Sequence, residues 1–172
     1  MFEEPPLYAH QNWPRATSSS NAPLLGWDVA HPLLAAKQQR HNDLQAFAQL
    51  KTRFDWQNEL DLSARLLDNL TVIVTDRAAR ILWVSDSFRL LTGYENSEAL
   101  GKTPAFLQGP LTSVRAQNTI RQKLSRAESV STRLLNYRKQ GTAYWCRVEI
   151  HPLVNSRDEC THFIAYEKEL VA

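Results

Sequence analysis

Apolar residues recur along this chain with two different periods, and the change between them falls near residue 70. Between Leu33 and Asn69, the residues Leu44, Phe47, Leu50 and Phe54 stand three or four apart, and Leu60, Ala64 and Leu67 repeat the spacing. That period gathers apolar side chains on one helical face and predicts one or two amphipathic helices. Pro32 suits a first helical turn, where its missing N–H costs little. Asp61 suits a restart after a break near Trp56. The stripe on such helices needs a cover, supplied by the domain that follows or by a second copy of the chain.

Beyond Asn69 the pattern becomes that of strands. Thr71–Asp76 and Arg80–Val84 are short apolar runs joined by Asp76-Arg-Ala-Ala79, and they read as a hairpin. Ser85 to Tyr94 reads as a short helix capped by Ser85 and stopped by Gly93. Glu95 to Leu100 makes another turn of helix. Thr112 to Ala127 is a longer helix, with Ala116, Ile120 and Leu124 four apart. Three strands close the chain: Ser129–Arg138, Thr142–Val154 and Cys160–Leu170, separated by Lys139-Gln-Gly141 and Asn155-Ser-Arg-Asp158. Tyr144, Cys146, Val148 and Ile150 share one face, as do Phe163 and Ala165. Trp145, Ile164 and Tyr166 make the opposite face too apolar for open solvent, so the N-terminal helix or a second subunit is expected there. The class is α+β, a five-stranded antiparallel sheet with short helices on one face, preceded by N-terminal helices. The expected units are a flexible segment over 1–30, a helical extension over 31–69 and the domain over 70–170.

Composition narrows this little. Residues 1–30 hold Pro5, Pro6, Pro14, Pro23 and a serine run, which resist packing, although Tyr8, Trp13, Trp27 and Leu24-Leu25 are residues able to dock on a partner. A net charge of +2 with scattered basic residues gives no case for nucleic acid. No run is apolar and long enough to span a membrane, and Glu3-Glu-Pro-Pro6 is no signal peptide, so the cytoplasm is the expected compartment. Cys146 and Cys160 have no metal-ligand spacing and are expected as reduced thiols.

Three motifs stand in order along the domain: Thr92-Gly-Tyr94 at a helix end, Phe106-Leu-Gln-Gly-Pro110, and Leu135-Asn-Tyr-Arg-Lys-Gln-Gly-Thr142. Together they resemble the light-oxygen-voltage (LOV) subgroup of PAS domains, from about Leu70 to Glu169. The resemblance implies a PAS fold and a flavin site. LOV domains resemble one another in using a cysteine thiol to attack excited flavin. Here Gly101–Gly109 aligns on the loop that carries that cysteine, and Pro104 stands in its place, which implies that no adduct forms there.

The resemblance also implies roles for other residues. Gln108 matches the family's loop glutamine, Arg121 its phosphate-binding helix arginine, and Asn136 its first strand asparagine. Cys146 stands where a second asparagine is usual, Glu167 where a strand glutamine is usual, and Thr103 and Ala105 where the loop has asparagine and arginine. Pairing across a turn centred in 155–158 puts Cys146 opposite Glu167. An ionised Glu167 only accepts hydrogen bonds, and burial would raise its pKa. The pocket therefore either takes flavin mononucleotide (FMN) weakly, or another planar ligand, or it is filled by Phe163, Phe106 and Leu107.

A sensory or signalling module follows, acting through its N-terminal helices as a homodimer, or on a separate effector protein, since the sequence ends at Ala172 just after the last strand. The alternative is a blue-light flavoprotein working by photoreduction, with Trp83, Trp145 or Tyr144 as electron donor. Enzyme activity is not expected: His151 and His162 have no paired acid, and Ser85 reads as a cap. A redox role for Cys146 is disfavoured, because a neighbouring carboxylate raises a thiol pKa.

Overall fold

The computed structural model describes residues 27–171. The flexible segment expected over 1–30 thus lies outside the described residues, except for its last four, which are helical. The first helix, α1, runs over Trp27–Arg53 and includes Pro32 within it. This corrects the expected start at Pro32. Between Gly26 and Pro32 the sequence holds no helix breaker, so the helix extends backward and absorbs the loss of one intrahelical bond.

Leu44, Phe47, Leu50 and Phe54 all turn inward as their spacing predicts. The chain breaks at Asp55, which takes a positive φ of 56°. It restarts at α2, Leu62–Leu67, where the Asp61 side chain accepts a hydrogen bond from the Ala64 N–H. Leu62 and Leu66 are the buried positions of α2, whereas Ala64 and Leu67 face solvent. The expected stripe was therefore out of phase, because the break resets the helical face.

The sheet is wholly antiparallel, in the order β2-β1-β5-β4-β3. Its strands are β1 Thr71–Asp76, β2 Ile81–Val84, β3 Val130–Tyr137, β4 Ala143–Val154 and β5 Cys160–Glu169. Between β2 and β3 lie α3 (Ser87–Thr92), α4 (Asn96–Ala99), a 3-10 turn over Pro104–Leu107, and α5 (Val114–Ser125). Ser85 does not cap α3. Its hydroxyl accepts from the Val72 N–H at 2.8 Å and tethers the α3 entrance to β1 instead. Gly93 ends α3 with φ 75°, a conformation that costs glycine nothing.

The β4–β5 register differs from the expected one. Glu167 pairs with Val148, and Cys146 with Glu169. The turn closes one residue wider than a four-residue turn, with the Asn155 N–H donating to the Glu159 carbonyl. A bulge between Leu153 and Val154 then adds a second shift. Two shifts restore the facing, so Cys146 and Glu167 still share one side of the sheet. On the other side, α1, α2 and the link between them cover Val72, Val74, Leu153, Ile164 and Tyr166 with Phe47, Trp56, Leu62 and Leu66. The expected burial of Ile164 and Tyr166 under the N-terminal helices is what the chain adopts, and Trp145 stays 52% exposed at the edge of that cover.

Candidate functional site

The side of the sheet away from α1 carries Ile73 and Thr75 of β1, Leu134 of β3, Val148 and Ile150 of β4, and Phe163, Ala165 and Glu167 of β5. Facing it are the 3-10 turn, Gln108 and the inner side of α5. Ala116, Ile120 and Leu124 point toward the sheet without being fully buried. The two layers enclose a cavity of about 330 Å³, at the low end of the size range of small-molecule sites, roughly 300–1,000 Å³. Phe163 lines it without filling it. Phe106 turns aside onto Tyr94, with ring centroids 5.0 Å apart, and Leu107 is sealed into the core around Phe88. The expectation of a side-chain-filled pocket therefore does not hold.

Gln108, Arg121, Glu167 and Thr103 all line the cavity, together with Pro104 and Ala105. Thr103 and Arg121 sit at its solvent rim. Arg121 donates to Asn118 at 3.5 Å and forms no ion pair among the described residues, so its charge is free for an anionic group. Asn136 and Cys146 are buried in the same face but do not line the cavity. Asn136 pairs with Gln108 through an isolated backbone bridge, and its side-chain oxygen has no hydrogen-bond partner. The hydroxyl of Tyr144, its cross-strand neighbour, also has none. Close approach fixes the loop beside them, since a Cβ on Gly109 would lie 2.4 Å from the Tyr137 ring.

Glu167 is 4% exposed, and the Cys146 thiol lies 3.7 Å from its Oε2. It makes no ion pair among the described residues. Burial pushes its carboxyl up to about 7, as an uncompensated acid in an apolar wall should behave. Burial and then the Glu167 charge push the Cys146 thiol far up, and the Tyr144 hydroxyl likewise. Cys146 is thus a protonated, unreactive thiol. Neither cysteine lines the cavity.

Sequence reasoning missed Thr75, Ala79 and Gln117 as lining residues. Gln117 was accessible to it, since it stands one helical turn from Arg121 on α5. Ala79 was not, because its place depends on how the β1–β2 turn folds over the cavity. The donor set suits FMN: apolar walls for a planar ring system, Arg121 for a phosphate and Gln108 for a polar edge. Glu167 is the group whose fit depends on its protonation.

Comparison with known proteins bears on the family of the chain. A family description reading "PAS domain" matches residues 69–170. A blue-light-activated histidine kinase of Brucella anthropi is 36% identical over 90 residues, which are 52% of this chain and 18% of that protein. One from Rhizobium johnstonii is 30% identical over 137 residues, 78% of this chain and 39% of that protein. The chain thus spans well under half the length of these relatives. A solved light-oxygen-voltage domain, studied through a flavin analogue, superposes with a TM-score of 0.60 at 30% identity, covering 63% of this chain and 83% of its own.

Proposed function

The chain belongs to the PAS domain family, and on that footing we propose that it is a LOV-like sensory domain that holds FMN in the cavity without forming a cysteinyl adduct. The observation that carries this reading is an open cavity whose wall at the 3-10 turn is Pro104 and which neither cysteine lines. Gln108, Thr103 and Glu167 would hold the ring system and Arg121 the phosphate, with Asn136 behind Gln108. Bound there, a flavin supplies blue absorption and an excited state that accepts electrons. Of the aromatic donors considered, Tyr144 shares the cavity face. Trp83 packs against Phe47 on the α1 side, and Trp145 is exposed there. Adduct-free photoreduction would therefore draw on Tyr144.

Output would pass through β5 to α1, since Ile164 and Tyr166 alternate with the cavity residues Phe163, Ala165 and Glu167 along one strand. Exposed Leu33 and Leu34 on α1, and Trp145 on β4, offer contacts to a second copy or an effector. The test is the absorption spectrum of the purified protein before and after excess FMN. A banded blue peak that light does not bleach to an adduct is expected; no retained FMN would overturn the reading.

A further inference from the structure

Glu167 stands at the junction of cavity and sheet, and its surroundings offer a negative charge only the weak Cys146 thiol donor, 3.7 Å away. From β4 it meets the Cys146 thiol, and Tyr144 beyond it, both protonated groups. Its nearest acidic neighbour on β5, Glu169, is held by Arg138 at 2.6 Å. Its partner on β1 is Thr71, and the residues flanking the 3-10 turn are Thr103 and Gln108, all uncharged. The one cation lining the cavity, Arg121, is on α5 at the solvent rim. A ligand that fills the cavity removes the remaining water and makes a charge on Glu167 costlier still.

We propose that Glu167 couples ligand uptake to a proton: the cavity binds a planar heteroaromatic ligand with the Glu167 carboxyl protonated and donating a hydrogen bond to an acceptor on the ligand's edge. The carboxyl is then a donor on the same strand position where an amide would be, while the ionised form repels an acceptor edge. The proton comes from solvent on binding and returns to it on release, so uptake weakens as the solution becomes more basic. This rests on the flavin reading above and assigns the residue that sets its pH dependence.

The experiment is FMN binding to the full chain, followed by fluorescence quenching from about pH 5.5 to about pH 8.5, for the wild type and Glu167→Gln. The phosphate of FMN titrates in this range too, and the variant subtracts it. The ratio of wild-type to variant affinity should fall by up to about tenfold per pH unit above neutrality. A constant or rising ratio overturns the proton coupling and leaves the flavin site standing. Absence of binding by either protein at every pH overturns both. Infrared difference spectra give a second readout should the variant fail to fold. A protonated-carboxyl band should appear in the wild-type complex at pH values where the free protein lacks it, and its absence overturns the proposal.

Discussion

The two sides of the sheet carry similar apolar residues and end in different states. Toward α1, Val72, Val74, Leu153, Ile164 and Tyr166 are sealed by rings in mutual contact, with Phe47 5.8 Å and Phe54 5.4 Å from Trp56. Toward α5, Ile73, Leu134, Val148, Ile150 and Phe163 border open space and a buried acid. The difference lies in the cover. The C-terminal half of a 27-residue helix, with Phe54 and Trp56 just beyond its end, covers one face. The other is covered by segments of four to twelve residues, of which α5 has no fully buried residue. Close packing stabilises the first face; the second gives up some of that density and keeps room for a ligand.

The sharpest way to break this contrast is to open the filled face. Trp56 is 2% exposed and joins the end of α1 to β5. Its indole N–H donates to Thr161 at 3.1 Å, and its ring meets His162 edge-on at 5.0 Å. Trp56→Ala should cost about 3–5 kcal/mol of unfolding free energy, from lost transfer and the cavity left behind. Urea titration checks it. A loss under about 1 kcal/mol would mean that the α1 side tolerates voids as well as the cavity side does.

The next effect belongs to the open face. The folded-state pKa of Glu167 is raised from 4.5 to about 7 by burial. Folding therefore takes up a proton between those values, and the stability associated with the protonated acid is full below about pH 4.5 and lost as pH rises through about 7. The magnitude is on the order of 3 kcal/mol. Asp43, half-buried on α1 and accepting from the Asp86 N–H, is raised to about 6 by burial and acts in the same direction. Glu167→Gln should flatten the decline in stability between about pH 5 and about pH 8 and leave the smaller share of Asp43. A wild-type protein that instead gains stability over this range would show that Glu167 is solvated from the cavity.

Much of this contrast was legible in the sequence. The five strands, the phase of α5 and the stripe Leu44, Phe47, Leu50 and Phe54 follow from periodicity alone, because each buries a single face. Ordered motifs pointed to Gln108, Arg121 and Glu167 in one site. What escaped was decided by single-residue backbone events. The wider turn and the bulge between Leu153 and Val154 together moved Glu167 from Cys146 to Val148. The positive φ at Asp55 reset α2 so that Leu62 and Leu66, not Ala64 and Leu67, turn inward. Ser85 looked like a cap because serine at a helix start usually is one; its hydroxyl went to β1 because Val72 had no other partner for its N–H on that side. Whether the pocket was filled depended on the directions of Phe106 and Leu107, which no spacing encodes.

The smallest effect on folding is expected where the cover runs out. Beyond Tyr166 the α1 side ends in Arg65, stacked over the Tyr166 ring at 4.8 Å and paired with Glu149 at 3.3 Å. Trp145 stands past that pair, 52% exposed. Trp145→Ala should change unfolding free energy by no more than about 0.5 kcal/mol, since the side chain is half in solvent and its strand keeps its backbone bonds, including that from the Leu170 N–H. If this edge meets a second copy, as proposed for output, the same substitution should weaken self-association in sedimentation velocity while leaving the cavity's FMN affinity unchanged. Retained association would move the contact to Leu33 and Leu34 on α1. A large stability loss with no change in association would instead make Trp145 part of the filled face and extend that face across the whole sheet.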